Sequence, residues 1–249
     1  MNGPDSASAP ADVAVLVPAG GEGRRMGGTP KQFRTLGERP LLIQILLLFE
    51  QHPSVGHVVV AAPAGRVEAV TDRLRVEGLG TLTAVVEGGD SRQASVRHAL
   101  RAVPDRVEVV LVHDAARPFV SVRQVGAVIE AVRVQGAASL AVPVADTLRR
   151  GADDIFGDTV SRDDLYQMQT PQGARRDWLE TAHRRAAARG ESATDDVALV
   201  QRAGHEVRLV PGHRRNFKIT TPEDWALAQQ LWAAWRDDPD RLRLSTDPE

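Results

Sequence analysis

The sequence predicts an α/β fold built on a doubly wound, mostly parallel sheet. Short aliphatic, β-branched runs such as 13–17 and 107–112 alternate with helical patterns along most of the chain. Glycine-rich or polar segments follow several of these runs, and the ligand sites of such sheets lie beyond the carboxyl ends of the strands. A chain of 249 residues is long enough to bury one large core, so we expect a single domain.

The first half of the chain alternates strictly between the two element types. Strands are expected at 13–17, 58–62, 82–86 and 107–112, and helices at 41–49, 66–76, 91–103 and 122–134. Residues 1–12 are rich in small residues, Pro and Ser, and are predicted to form a disordered N-terminal tail.

The alternation breaks in the second half. After a strand at 137–144, residues 145–165 contain short alternating pieces around a turn-like G-A-D-D, which favours a protruding β-hairpin. Residues 166–173 are expected to return the chain to the body. Helices at 177–189 and from Thr194, a strand at 206–210, and a helix opened by Thr221 and Pro222 follow. The predicted domain spans 13–236, with 145–165 as its arm and 237–249 as a C-terminal tail.

Composition excludes several function classes. The chain has no cysteine, so disulfides and thiolate metal sites are excluded. A formal net charge of −2 argues against a nucleic-acid or anionic-membrane surface but leaves room for a small anionic ligand. No apolar run is long enough for a membrane span and no secretory pattern opens the chain, so we expect a soluble, cytoplasmic protein.

The segment 18–32, P-A-G-G-E-G-R-R-M-G-G-T-P-K-Q, directly follows the first strand. Its glycines allow close approach of backbone N–H groups to an anion, and three cations accompany them, which predicts a polyphosphate ligand. A P-loop would need Gly-Lys-Ser/Thr, and a dinucleotide fingerprint would need glycine where Met26 stands. The remaining interpretations are a nucleotidyltransferase signature and a solvated glycine-rich turn.

Lysine is scarce in this chain. Of 31 cationic residues only Lys31 and Lys218 are lysines, so 29 are arginines. An ammonium is a compact point charge that a planar guanidinium does not replace in a tight phosphate site. We therefore predict that both lysines lie close to the chemistry.

Seven motifs occur in one order across nearly the whole chain: P-A-G-G-E-G-R-R-M with P-K-Q-F, E-G-G-D-S-R-Q-A-S-V, V-H-D-A-A-R-P, A-D-T, Q-T-P-Q-G, T-D-D and N-F-K-I-T-T-P-E-D. Together they resemble the 2-C-methyl-D-erythritol 4-phosphate cytidylyltransferase family of isoprenoid precursor synthesis. The resemblance implies a Rossmann-like nucleotidyltransferase fold, CMP transfer from CTP to the alcohol phosphate, bound Mg²⁺, and a homodimer whose arms exchange and share active sites.

The resemblance also implies the following site residues. The phosphate clamp would be Arg25 and Lys31, with Lys218; the nucleotide loop Ala19, Gly20, Gly21 and Gly23; the cytosine pocket Gly89, Asp90 and Ser95; the element near ribose, metal and substrate Asp114 and Arg117; and the substrate side Thr147, Arg162, Thr194 and Lys218. Purely structural roles stay open for three of them: an ion pair for Asp114 and Arg117, and a solvated helix face for Ser95.

The residue types agree with this reaction. A phosphate monoester oxygen is already anionic near neutral pH, so no general base is needed, whereas cations and Mg²⁺ are needed to screen two polyanions. A D-ribitol 5-phosphate cytidylyltransferase is the nearest alternative. T-D-D at 194–196 and A-A-R at 115–117 favour the methylerythritol substrate. A catalytically silent nucleotide-binding regulator is the alternative from another class, and it is disfavoured because both lysines are retained.

Overall fold

The computed structural model describes residues 11–21 and 30–244. The strands are β1 (Val13–Pro18), β2 (Thr35–Leu36), β3 (Arg39–Pro40), β4 (Val55–Ala62), β5 (Leu82–Glu87), β6 (Val109–Val112), β7 (Ala137–Pro143), β8 (Leu148–Ala152), β9 (Ile155–Val160), β10 (Tyr166–Arg175) and β11 (Arg208–Pro211). The α-helices are α1 (Leu41–Glu50), α2 (Val67–Val76), α3 (Arg92–Leu100), α4 (Val122–Gln135), α5 (Arg176–Arg189), α6 (Asp196–Arg202) and α7 (Pro222–Arg236).

Seven strands form the main sheet in the order β11-β7-β10-β6-β1-β4-β5. The pairs β1–β4, β1–β6, β4–β5 and β7–β11 are parallel. The chain leaves β1 on one side to form β4 and β5, and later returns to its other side as β6. This confirms the predicted doubly wound α/β sheet, and it makes the carboxyl end of β1 the switch point where such sheets bind ligands.

The sequence did not predict β10 as a strand. It was expected to be a connection, but it lies in the sheet between β6 and β7 and is antiparallel to both. Its buried residues include Gln169, Thr170 and Gln172, so it lacks the aliphatic run of a central strand. It also contains Pro171, which lies at a register shift in the ladder, where the missing N–H costs no hydrogen bond.

Helices cover both faces of the sheet. Alternate residues of β1 point to opposite sides: Val13, Val15 and Val17 pack into a core with α1, α4 and α7, whereas Ala14 and Leu16 pack into a second core with α3, α5 and α6. Burial on both faces explains why the central parallel strands are almost purely aliphatic.

Several predicted helix ends need correction. The third helix ends at Leu100 instead of 103. Asp195, not Thr194, is the N-cap of α6, and its side chain accepts a hydrogen bond from the backbone N–H of Ala198 at 3.0 Å. The start of α7 is as predicted, with Thr221 in a capping box and proline in the first turn.

A separate two-stranded antiparallel sheet, formed by β8 and β9, occupies the segment predicted as an arm. Asp153 and Asp154 make its turn, both with positive φ (49° and 61°), a geometry that Asp tolerates and that matches the twist of a tight hairpin. Its apolar side chains lie in solvent, with Ile155 71% and Phe156 81% exposed.

Both ends of the described chain contact the domain. Asp12, assigned from sequence to the N-terminal tail, forms an ion pair with Arg133 at 2.8 Å. Asp238, assigned to the C-terminal tail, pairs with Arg215 at 2.8 Å. Within residues 11–21 and 30–244, no helix has the length and apolar character needed to cross a membrane.

Candidate active site

The carboxyl ends of β1, β4, β5 and β6 open into one cavity of about 1140 Å³. It is lined by the segments 18–21, 30–32, 62–64, 87–92 and 114–116, together with Arg66, Ser95, Lys218 and Thr220. Four motifs that are distant in sequence therefore meet at the switch point of the sheet.

A buried glutamine holds the described start of the glycine-rich segment, residues 19–21. The Gln32 side-chain amide donates to the carbonyls of Ala19 at 2.6 Å and Gly21 at 2.9 Å. Gln32 itself is 3% exposed. Ala19, Gly20 and Gly21 line the cavity as predicted nucleotide-loop residues would, whereas Gly23 and Arg25 lie outside the described residues.

The two lysines of the chain line the same cavity. The ammonium of Lys31 donates to the carbonyl of Ile219 at 2.7 Å. The ammonium of Lys218 lies 2.8 Å from Asp114 Oδ2, and its side chain is 40% exposed. The fold thus brings together the P-K-Q and N-F-K-I motifs from opposite ends of the domain.

Asp114, at the carboxyl end of β6, is surrounded by cations. Its Oδ1 lies 2.8 Å from Arg92 Nε, and its Oδ2 lies 2.8 Å from Lys218 and 3.7 Å from Arg117 Nε. Burial alone raises the pKa of Asp114, but the charges of Arg92 and Lys218 outweigh burial and hold that pKa well below its usual range. Asp114 is therefore a carboxylate at any physiological pH.

Arg92 joins Asp114 to a second, deeper carboxylate. Its Nη1 lies 2.7 Å from Oδ2 of Asp196, and the other oxygen of Asp196 lies 3.0 Å from Nε2 of the buried His183. The backbone N–H of Asp196 donates to Gln172 Oε1 at 2.9 Å. Burial opposes ionisation of Asp196, but Arg92 and His183 overcome it and lower its pKa.

The V-H-D-A-A-R-P turn is held by a fully buried histidine. His113 Nδ1 lies 3.1 Å from the Thr170 hydroxyl, which accepts the Asp114 backbone N–H at 3.1 Å. His113 Nε2 lies 3.0 Å from the carbonyl of Arg117. Burial lowers the pKa of His113 to about 4, which keeps the ring neutral, with Nε2–H donating and Nδ1 accepting. His113 therefore orients the turn.

The loop that precedes α3 is closely packed. Gly89 has no room for a side chain, since a Cβ there would lie 2.4 Å from that of Ala94. The Ser95 hydroxyl is buried, donates to the carbonyl of Ser91 at 2.9 Å, and accepts the Gly89 N–H at 3.1 Å. Gly89, Asp90 and Ser95 all line the cavity. The solvated-face interpretation of Ser95 is wrong, and its hydroxyl holds the shape of this loop.

The residues predicted for the substrate side divide into two groups. Arg117 lies against Asp114 and donates to the carbonyls of Asn216 at 2.8 Å and Met168 at 3.1 Å. Thr147, Arg162 and Thr194 do not line the cavity and are exposed. The guanidinium of Arg162 donates to the carbonyl of Ala145 in its own chain, at the base of the arm.

Three residues that shape the site were not singled out from the sequence: Gln32, Arg92 and Asp196. Each stands inside a recognised motif, and each acts through burial and hydrogen bonds that only tertiary contacts create. One signal was available in the sequence. Polar and charged side chains in motifs that end strands or open helices cost free energy to bury without partners, so these three residues could have been expected to have hydrogen-bond partners.

The described lining residues include no histidine and no cysteine, and the Ser91 and Ser95 hydroxyls are engaged with backbone groups. No serine–histidine or cysteine–histidine pair is therefore present among them, and the Thr220 hydroxyl donates to Asp224 at 2.7 Å. No group of three or more histidine or acidic residues within the described ranges could hold a metal alone. The arrangement suits a reaction whose nucleophile arrives with a substrate and whose charge is stabilised by fixed cations.

Comparisons with known proteins agree with this geometry. Residues 13–233 match the family model described as 2-C-methyl-D-erythritol 4-phosphate cytidylyltransferase. A protein of that name from Salinibacter ruber is 70% identical over 234 residues, covering 94% of this chain and 98% of the relative. One from Deinococcus radiodurans is 44% identical over 219 residues, covering 88% of this chain and 89% of the relative.

The fold is similar to solved structures as well. The crystal structure of the cytidylyltransferase of that name from Thermus thermophilus superposes with a TM-score of 0.74 at 39% identity. The match covers 88% of this chain and 98% of the Thermus chain.

Proposed function

The chain belongs to the 2-C-methyl-D-erythritol 4-phosphate cytidylyltransferase family, and from this premise we propose how its site works. The enzyme transfers CMP from CTP to 2-C-methyl-D-erythritol 4-phosphate, giving 4-diphosphocytidyl-2-C-methyl-D-erythritol and pyrophosphate. One observation carries the assignment of the site: the chain's only two lysines line the cavity that the glycine-rich loop and Asp114 also line.

The nucleophile is an oxygen of the alcohol phosphate. It forms a bond to the α-phosphorus of CTP while the bond from that phosphorus to the bridging oxygen of pyrophosphate breaks, and pyrophosphate leaves with the electron pair. The attacking oxygen is already an anion near neutral pH. The described lining residues include no histidine and no cysteine, which agrees with a nucleophile that is supplied by the substrate.

Fixed cations do the catalytic work. We assign Lys31 and Arg25 to the triphosphate and Lys218 to the charge that builds up around the α-phosphorus. The contact between Lys31 and the Ile219 carbonyl supports a shared task, because it places one lysine against the neighbour of the other. Removing one such charged contact typically costs about a hundred- to a thousandfold in kcat.

A divalent ion such as Mg²⁺ fits this site only as a partner of the nucleotide. Both oxygens of Asp114 face cations, and the described residues offer no three-residue cluster. Mg²⁺ usually takes one or two protein carboxylates and completes its shell with phosphates and water. Asp114 would hold such an ion through one oxygen, and the ion would supply charge neutralisation on the phosphates.

The loop 88–95 is assigned to the cytosine base. Close packing of Gly89 against Ala94 and the hydrogen bond from the Gly89 N–H to the Ser95 hydroxyl fix the shape of this segment. We expect it to accept a pyrimidine and to exclude a purine. The cytosine amino group would donate to a backbone carbonyl of the protein, whereas UTP presents an acceptor at that position. The backbone carbonyl left without a donor would cost about 1–3 kcal/mol, or roughly 10- to 100-fold in kcat/KM. Comparable turnover with UTP or ATP would contradict the assignment.

The alcohol phosphate is assigned to Arg117, Thr147, Arg162, Thr194 and Lys218. Two of these, Thr147 and Arg162, flank the exposed hairpin and do not line the cavity of their own chain. The hairpin is solvent-exposed over nearly its whole length and exposes Ile155 and Phe156 at its turn. Reciprocal exchange across a two-fold axis would bury it twice, so we propose a homodimer in which Arg162 completes the partner's site.

Subunit mixing tests the shared site. Lys31→Ala and Arg162→Ala are each expected to be nearly inactive. After joint unfolding and refolding, half of the dimers are mixed and each contains one intact site, so about a quarter of wild-type activity should return. No recovery, with mixing shown by differently tagged chains, would contradict the exchanged arm.

The reaction itself is tested by pyrophosphate release with CTP, Mg²⁺ and one alcohol phosphate at a time. We expect 2-C-methyl-D-erythritol 4-phosphate to be preferred over D-ribitol 5-phosphate by kcat/KM. Preference for ribitol 5-phosphate would favour the alternative transferase. Tight CTP binding without turnover on either alcohol would favour a silent regulator.

A further inference from the structure

Arg92 connects the two halves of the site. It is the first residue of α3, lies within the segment 88–95 assigned to the base, and lines the cavity. Its guanidinium bonds Asp114 at 2.8 Å on one side and Asp196 at 2.7 Å on the other. The two carboxylates belong to different motifs, so one side chain sets the spacing between them.

We propose that Arg92 is a positioning residue that acts through Asp114 and Asp196, an inference that rests on the proposed transfer reaction. Arg92 occupies Oδ1 of Asp114, so that Lys218 on Oδ2 can pass to a substrate phosphate. It also fixes the segment 191–196, which carries Thr194.

The charge distribution around Asp114 supports the first part. The Lys218 side chain is 40% exposed, whereas the Asp114 side chain is 9% exposed, so the ammonium is the member of the pair that a substrate can reach. A phosphate that binds Lys218 competes with the Asp114 carboxylate. With Arg92 in place, Asp114 keeps a strong partner after Lys218 turns away. Without Arg92, the cation that remains beside Asp114 among residues 11–21 and 30–244 is Arg117, at 3.7 Å, and Asp114 holds the lysine more firmly.

The next residue of α3 supports the second part. Gln93 Nε2 donates to the carbonyl of Glu191 at 3.1 Å, and its Oε1 accepts the N–H of Ala193 at 3.0 Å. Arg92 holds Asp196 a few residues further on. Two consecutive side chains at the start of α3 therefore clamp the segment that contains Thr194.

A purely structural role predicts different behaviour. Asp196 is 3% exposed, and its burial without Arg92 would destabilise the fold whatever the reaction. We therefore pair Arg92→Met with the double variant Arg92→Met/Asp196→Asn, which removes the uncompensated charge. If Arg92 only neutralises Asp196, the double variant recovers both melting temperature and kcat. The positioning role predicts recovery of the melting temperature alone.

The dependence on Asp114 is tested with a second pair of variants. Arg92→Met/Asp196→Asn should lower kcat by about 10- to 100-fold, the worth of one charged hydrogen bond, with less than about threefold change in the Kd of CTP. The triple variant Arg92→Met/Asp114→Asn/Asp196→Asn should have a kcat within about twofold of that of Asp114→Asn/Asp196→Asn. In the latter variant Arg92 has no carboxylate to position, so its removal should have little effect. Additive losses would show that Arg92 acts on the substrates directly and would overturn the proposal.

A control is available in Arg176, which joins Glu180 at 2.7 Å and Asp105 at 3.1 Å and does not line the cavity. Its side chain is about as buried as that of Arg92, whereas its two carboxylate partners are more exposed. Arg176→Met should lower the melting temperature and leave kcat unchanged. Wild-type turnover, measured first, tests the proposed reaction. If the wild type turns over and Arg92→Met/Asp196→Asn has the same kcat, the positioning role is contradicted while the proposed reaction stands.

Discussion

Lowering the pH should unfold this protein partly through His113. The ring is fully buried and uses both nitrogens, with Nδ1 near the Thr170 hydroxyl at 3.1 Å and Nε2 near the Arg117 carbonyl at 3.0 Å. Protonation at Nδ1 would remove the acceptor that Thr170 uses. The V-H-D-A-A-R-P turn would then lose its internal support.

The size of the effect follows from the pKa. Burial lowers the pKa of His113 to about 4, although the Arg117 carbonyl and the charge of Asp114 oppose the change. An unfolded histidine has a pKa of about 6.5. Between these values the unfolded state binds one more proton than the folded state, so stability falls as the pH falls. At about 1.4 kcal/mol per pH unit, the loss between pH 6.5 and 4 is about 3 kcal/mol.

Other titratable groups also make the stability depend on pH. Asp114 and Asp196 have lowered pKa values, so their contribution is present above about pH 4 and is lost only at lower pH. Burial also lowers the pKa values of His52 and His57, which act in the same direction as His113. A variant is therefore needed to isolate His113.

The assay is urea unfolding of wild type and His113→Gln at several pH values from 7 to 4. Glutamine keeps one donor and one acceptor but does not titrate. We expect the wild type to lose about 3 kcal/mol more than the variant across this range, at constant m-value. Equal losses in the two proteins would refute the assignment of a buried neutral His113.

Three further outcomes are expected. Lys31→Arg and Lys218→Arg should each keep the wild-type melting temperature but lower kcat by about a hundred- to a thousandfold, since a guanidinium does not replace a point charge; near-normal turnover would refute the argument from lysine scarcity. Gln32→Glu should destabilise the fold by about 2–4 kcal/mol, because its carboxylate would face two loop carbonyls. For the same reason it should weaken CTP binding, measured by calorimetry, more than Gln32→Met does. Gly37→Ala should lower the free energy of unfolding in urea by about 1–3 kcal/mol, because φ is +68° and the new Cβ would lie 2.2 Å from Trp232 Nε1. Unchanged stability in Gln32→Glu or in Gly37→Ala would contradict the estimate for that variant.

Much of the fold was predictable because its signals are local. Strand segments buried on both faces, such as 13–17 in β1 and 58–62 in β4, are continuous aliphatic runs, and Thr221 with Pro222 marks a helix start. The position of the cavity was predictable too, because motifs that end parallel strands must meet at one edge of the sheet.

The sequence-based predictions that failed concern features that depend on tertiary contacts. β10 is stabilised by pairing with β6 and β7, not by its own composition. Asp195 and Thr194 are both good N-caps, and the sequence could not choose between them. The role of Arg92 depends on two carboxylates that only the folded chain brings together.

The central claim is that this site transfers an intact CMP group between two anions without a general base. The most direct measurement uses CTP labelled at the α-phosphate, incubated with the enzyme, Mg²⁺ and 2-C-methyl-D-erythritol 4-phosphate. We predict that the label appears in the CDP-alcohol, one equivalent per pyrophosphate released, and that no turnover occurs without the alcohol phosphate. Label released as free CMP, or turnover independent of the alcohol phosphate, would contradict the claim.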